Sequence, residues 1–161
     1  MKLKVFRNSI FKDHRGFYWT SWNKRDLYKN LNFNHDKFSV SKKNVLRGLH
    51  GDNKTWKLIS CVYGKIYFVV VNYNKKSKDY LKHKSIILSH IKNQQILIPP
   101  NFLNGFLCLS KNCVVHYKLA YSGSYNDVKD QYSVKWNNNK INIKWPRTKG
   151  LILSKRDSIK N

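Results

Sequence analysis

The feature that most constrains this chain is a recurrence. Short runs rich in β-branched and aromatic side chains return at spacings of roughly 8–12 residues, each bounded by Asn, Gly, Ser or Pro. "KLISCVYGKIYFVVVNY", "KSIILS", "QQILIP", "NGFLCLS", "CVVHYKLAY" and "QYSVKW" follow one another in this way. Many short strands of this kind pair antiparallel and remove their open edges by closing into a sandwich or barrel, a jelly roll being one such closure. The expected fold is therefore all-β, an antiparallel β-sandwich or jelly-roll barrel with short peripheral helices. Tyr63-Gly64 reads as the turn of a hairpin between two of the runs. Only "SWNKRDLYKNL" (21–31) reads as a helix, capped by Ser21.

A chain of 161 residues, 41% apolar and 14% aromatic, can bury the core of one domain. The expected organisation is a single domain over 1–161, in which 147–161 forms a basic C-terminal tail. Within that tail "GLILS" can pack down. No run approaches the roughly 18 apolar residues that span a membrane, and "MKLKVFRNSIF" lacks the apolar core of a signal peptide. No membrane partner is expected, and the expected compartment is the cytoplasm. Cys61, Cys108 and Cys113 are odd in number and lack CxxC spacing, so they read as small core residues.

The formal net charge of +24 invites a nucleic-acid reading. The composition argues against it. All eight acids are Asp, Glu is absent, and Lys and Asn abound everywhere, as a coding bias would produce. The lysines are scattered rather than gathered on one periodic face. A small anionic substrate needs only a few of these charges. A basic binding module for nucleic acid or acidic glycan stays open as the alternative from another class.

His50 follows an Arg-Gly-Leu turn and precedes the longest apolar run. A histidine at the mouth of a small barrel is either a hydrogen-bonded core residue or a general base, since an unperturbed imidazole titrates near pH ~6.5. A base needs an orienting partner, a group to stabilise the anion it makes, and an acid. Lys57, Arg47, Tyr117 and Asp157 are available, and their spacing alone does not show that they converge. An H-x-H motif with a downstream Glu would suit a transition-metal ion, and this chain has neither. No metal is expected. His14, His35, His83, His90 and His116 read as surface or packing residues.

Seven ordered blocks add to this reading. "FKDHRGFYWTSWN" (11–23), "SVSKKNVLRGLH" (39–50), "KLISCVYGKIYFVVVN" (57–72), "ILIPPNFLNGFLCLS" (96–110), "YKLAYSGSY", "VKWNNNKINIKWP" and "LSKRD" run nearly end to end. Together they resemble the dTDP-4-dehydrorhamnose 3,5-epimerase family, the RmlC-like cupins. The resemblance implies a cupin jelly roll, no cofactor, a nucleotide-diphosphate 4-keto-sugar as substrate, and a homodimer in which an N-terminal strand pairs across subunits. It implies inversion at C3, C5 or both through an enolate, one-carbon action being the alternative. It assigns His50 as base, Asp157 as the partner that orients it, Lys57 as the donor to the enolate oxygen and Tyr117 as the opposite-face acid. Arg15 and Arg47 would hold diphosphate and sugar oxygens. Phe17 would stack on the base or line the mouth, a core role being the alternative. Asn104 and Lys118 complete the implied substrate contacts.

The chain also departs from the family pattern. Thr20 stands where Glu is usual, His35 and Lys37 where Gln and Asn are usual, and Asn104 where the family has a His. The loop "GDNKTW" after His50 is short. The form "LRGLHGD…TWKLISCVYG" with "PPN…NGF" and "YKLAY" resembles a sub-branch acting on GDP-4-keto-6-deoxy-heptoses in capsule synthesis. A 3,4-ketoisomerase would read R-G-x-H-A-H, which Gly51-Asp52 does not fit.

Overall fold

The computed structural model describes residues 3–24, 30–126 and 128–158. The strands are β1 (Lys4–Arg7), β2 (Phe11–Asp13), β3 (Gly16–Tyr18), β4 (Phe33–Lys42), β5 (Leu46–Asp52), β6 (Trp56–Tyr63), β7 (Lys65–Asn72), β8 (His83–Ser89), β9 (Gln94–Ile98), β10 (Phe102–Cys108), β11 (Asn112–Ala120) and β12 (Tyr132–Ser133). One helical turn, α1 (Lys155–Ser158), closes the described chain, and a 3₁₀ turn spans Val128–Asp130. The centre of the helix expected at 21–31, residues 25–29, lies outside the described residues. Among the described residues no helix is long and apolar enough to cross a membrane.

Two five-stranded antiparallel sheets face each other, in the orders β1-β9-β6-β11-β4 and β12-β5-β10-β7-β8, and β2-β3 forms a separate hairpin. This is the all-β jelly-roll sandwich that the strand spacing calls for. Period-2 alternation explains the core between them. Ile59 and Cys61 of β6, Ile96 and Ile98 of β9, and Cys113 and Val115 of β11 meet Ile66, Phe68 and Val70 of β7 and Phe106 of β10. A second cluster lies on the outer face of the second sheet. There Leu46, Leu49, Val69, Val71 and Leu103 are covered by Ile141, Ile143 and Trp145, with Leu151 and Leu153 of the tail packed alongside.

The hairpin expected at Tyr63-Gly64 is corrected. β6 pairs with β9 and β11, whereas β7 pairs with β8 and β10, so the turn carries the chain from one sheet to the other. A glycine turn serves either purpose, and the choice rests on partners more than 20 residues away. Gly64 has φ +77° and lies against the β10–β11 connection, where an added Cβ would collide with the Asn112 carbonyl and the Ser110 hydroxyl. Gly64→Ala is expected to cost at least about 1–3 kcal/mol from backbone strain alone. Urea unfolding of the variant measures it.

The tail is docked. Ile152 pairs in parallel with Val45, its carbonyl accepts from Leu46 N (3.0 Å), and its N–H donates to Asn44 O (2.9 Å). This clamp lays α1 against β5 and so brings residue 157 to residue 50.

Candidate active site

The two sheets open at one end into a cavity of about 400 Å³, within the range of small-molecule sites. Its walls come from different sheets. Lys37 of β4, Lys57 of β6 and Tyr117 of β11 line one side, and Arg47 and His50 of β5 with Asn104 of β10 line the other. The tail adds Asp157 and Arg156. Strand register explains the grouping: Tyr117 is laddered to Lys37, and Asn104 to His50. β5 and β10 pass so closely that a Cβ on Gly48 (φ +118°) would sit 2.6 Å from Gly105 Cα.

His50 Nε2 donates to Asp157 Oδ1 at 2.7 Å. The Asp157 side chain is only 4% exposed. Ser154 explains how a tail aspartate arrives in a fixed orientation. It caps α1, accepting from Asp157 N at 3.2 Å and donating to Asp157 Oδ2 at 2.9 Å. Burial pushes the Asp157 carboxyl up, but the His50 bond and charge, with Ser154, outweigh it and hold the group below the usual carboxylate range. A depressed folded-state value lends stability that is complete above the unfolded value of about 3.9 and is lost as pH falls through the folded one. Protection of the Ile152 and Leu46 amides, which tie the tail down, is therefore expected to persist at pH 5 and to fail only in stronger acid; hydrogen exchange measures it.

His50 Nδ1 lies 3.3 Å from Ser133 Oγ, which in turn accepts from Arg156 Nε at 3.3 Å. Arg156 also donates to Gln131 Oε1 at 3.4 Å. On the facing wall, burial pushes the Tyr117 hydroxyl up to about 12, against the opposing pull of Ser39 and Arg47. Tyr117 therefore stays protonated at neutral pH and is a proton donor. Lys57 is nearly buried and its Nζ lies 3.3 Å from Asp52 Oδ2. Burial pulls its ammonium down and Asp52 pulls it back.

Arg47 is anchored by bonds from Nε to Ser41 Oγ (3.0 Å) and from Nη2 to Val40 O (3.3 Å). Lys37 donates to Tyr125 OH at 3.4 Å and sits 4.8 Å from that ring's centroid. Lys37, Arg47, Lys57 and Arg156 thus line the cavity with Asp157 as the one acid among its lining residues, a balance suited to an anionic ligand. Among the described residues no three His, Cys, Asp or Glu side chains are placed to hold a metal ion.

Six of the nine expected site residues line this cavity: His50, Lys57, Tyr117, Asp157, Arg47 and Asn104. Lys118 does not. Neighbours on a strand point to opposite faces, so Lys118 turns away from Tyr117, pairs with Asp36 (2.9 Å) and lies 4.8 Å from the Trp22 ring. Arg15 and Phe17 also stand apart, on the β2-β3 hairpin. Arg15 pairs with Asp13 at 2.6 Å, and Phe17 stacks on Trp19. Asp52, Ser133, Ser154, Tyr125, Gln131 and Arg156 were missed. Two carried a visible signal: S-x-x-D at 154–157 is a helix cap, and Asp52 is an acid inside a strand in a chain with few acids.

Comparison with known proteins identifies the family. The dTDP-4-dehydrorhamnose 3,5-epimerase family profile matches residues 2–161. The Escherichia coli K12 dTDP-4-dehydrorhamnose 3,5-epimerase is 37% identical over 160 residues, covering 95% of this chain and 85% of that protein. The Bacillus anthracis enzyme of the same name, solved with TDP and PPi bound, superposes with a TM-score of 0.90 at 33% identity, covering 98% of this chain and 91% of that one. The Legionella pneumophila dTDP-6-deoxy-D-glucose-3,5-epimerase, in complex with dTDP-4-keto-L-rhamnose, also gives 0.90, at 30% identity over 96% of this chain and 84% of that one. The chain is a carbohydrate epimerase and belongs to the dTDP-4-dehydrorhamnose 3,5-epimerase family.

Proposed function

We propose that the cavity epimerises a nucleotide-diphosphate 4-keto-sugar by proton transfer at the carbons flanking the ketone. The observation that carries this is the division of acid and base between the two walls: a histidine–aspartate dyad on one and a protonated tyrosine beside a lysine on the other. The 4-keto group acidifies the hydrogens on C3 and C5. His50 removes one, and Asp157 holds the imidazole and balances the charge it gains. The electron pair moves onto O4, where the Lys57 ammonium meets the developing oxyanion. Tyr117 returns a proton to the opposite face of the same carbon, and the centre inverts. Arg47 and Lys37 supply charge for the diphosphate oxygens.

The substrate's nucleotide and sugar follow from one experiment. The protein is incubated in D₂O with dTDP- and GDP-linked 4-keto-6-deoxy sugars, hexoses and heptoses. A gain of one mass unit reports exchange at one carbon and two units report both. A panel in which no sugar gains deuterium would overturn the reading.

The expected homodimer belongs to the same proposal. The β2-β3 hairpin exposes Phe11, Phe17 and Tyr18 and carries Arg15, yet its side chains do not line the cavity of their own chain. A partner subunit's cavity would give them a ligand and cover. Light scattering is expected to report a dimer, and Arg15→Ala to raise KM several-fold with kcat nearly unchanged; a monomer with full activity would refute this. Three buried free cysteines support a reducing, cytoplasmic setting.

A further inference from the structure

We propose that Asp52 is the positioning residue for Lys57, the group that keeps its ammonium charged and aimed into the cavity; this rests on the epimerase reading above. Asp52 is 1% exposed and Lys57 is 8% exposed. A lysine so desolvated sheds its proton readily unless an anion stands beside it. The two oxygens of Asp52 divide the work. Oδ1 accepts from Thr55 N (2.6 Å) and Lys54 N (3.0 Å), which fixes the carboxylate within the tight β5–β6 connection. Oδ2, left out of that turn, faces Lys57 Nζ at 3.3 Å.

The backbone beneath is pinned as well. Asp52 O accepts from Asn101 N at 2.7 Å, and Asp52 is laddered to Phe102. Lys57 is held between Ile98 of β9 and Leu119 of β11. Asp52 ends β5 in one sheet and Lys57 lies near the start of β6 in the other, so their pairing sets the position of the ammonium across the sandwich. The short "GDNKTW" loop makes this possible, since only four residues separate the partners along the chain. Asp52 itself is not among the residues lining the cavity, so its influence on the substrate runs through Lys57.

Asp52→Asn tests this, because the amide oxygen can still accept from Lys54 N and Thr55 N while the charge toward Lys57 is gone. Deuterium incorporation into the active sugar is followed across pH. The variant is expected to lose about 10²-fold in kcat, the scale of a lost oxyanion donor, with KM changed far less. Its high-pH limb is expected to move to lower pH, because Lys57 without its anion gives up its proton sooner. In a Lys57→Met background the same substitution is expected to add nothing. Wild-type kcat and an unmoved limb in Asp52→Asn, or an equal loss in both backgrounds, would overturn the proposal.

A measurement on the wild type stands if the variant does not fold. In protein labelled with ¹⁵N-lysine, the Nζ resonance that Lys57→Met removes is expected to be that of an ammonium at neutral pH, and a neutral amine would overturn the proposal. The two readings fail separately. If no sugar exchanges with wild type, the epimerase reading falls and the ammonium assignment is judged by resonance alone. If sugars exchange and Asp52→Asn is unaffected, only the positioning role falls.

Discussion

His50→Asn is expected to abolish solvent deuterium incorporation at both C3 and C5 while the barrel melts close to the wild-type temperature. A positioned general base contributes roughly 10²–10⁴-fold, and no other lining residue can replace it. Tyr117 keeps its proton at neutral pH, the Lys57 amine is turned toward Asp52 Oδ2 at 3.3 Å, and Asp157 is held below the usual carboxylate range by its bond to His50. The effect on stability is small because His50 sits at the cavity rather than in the core between the sheets. Mass spectrometry of the recovered sugar gives the exchange, and circular dichroism gives the melting. Exchange at the wild-type rate would remove His50 from the role of base. Loss at one carbon alone would mean that a second base serves the other.

Tyr117→Phe is expected to separate two rates that are equal in a clean inversion. Abstraction by His50 does not need the tyrosine, so washout of the substrate hydrogen continues, while delivery to the opposite face fails. Net epimerisation should fall by about 10²-fold or more, and exchange with retention should fall much less. Removing this one hydroxyl leaves the ring, and hence its packing against the core, in place. Chromatographic separation of the epimers, with deuterium content measured on each, distinguishes the outcomes. Equal loss of both rates would assign Tyr117 to binding.

Much of this was legible in the chain before folding, and the parts that were not have physical reasons. Strand recurrence is local, so the sandwich follows from it. The seven blocks place His50, Lys57, Tyr117 and Asp157 in order along the chain. Whether β6 and β7 share a sheet is not local: Gly64 permits both outcomes, and β9, β10 and β11 decide. Lys118 is a different case. Its parity with Tyr117 already forbade both side chains from entering one cavity, so the alternation rule, applied strictly, separates them. Asp52 illustrates a third limit. Its partner is five residues away, but the contact exists only once two sheets have stacked.

The tail clamp has a consequence for how heat disables this protein. The acid of the dyad lies 107 positions from its histidine and is delivered by a segment tied down through Asn44, Val45 and Leu46. The five-stranded sheets are built from strands that all precede that segment. Catalysis therefore depends on an attachment made by one isolated bridge, while the strand signal that spectroscopy reports comes from extended ladders. Heating should silence the enzyme while most of its β-structure persists, with the silence reversed on cooling, so that the upper temperature of function is set at residues 151–157 rather than by the barrel.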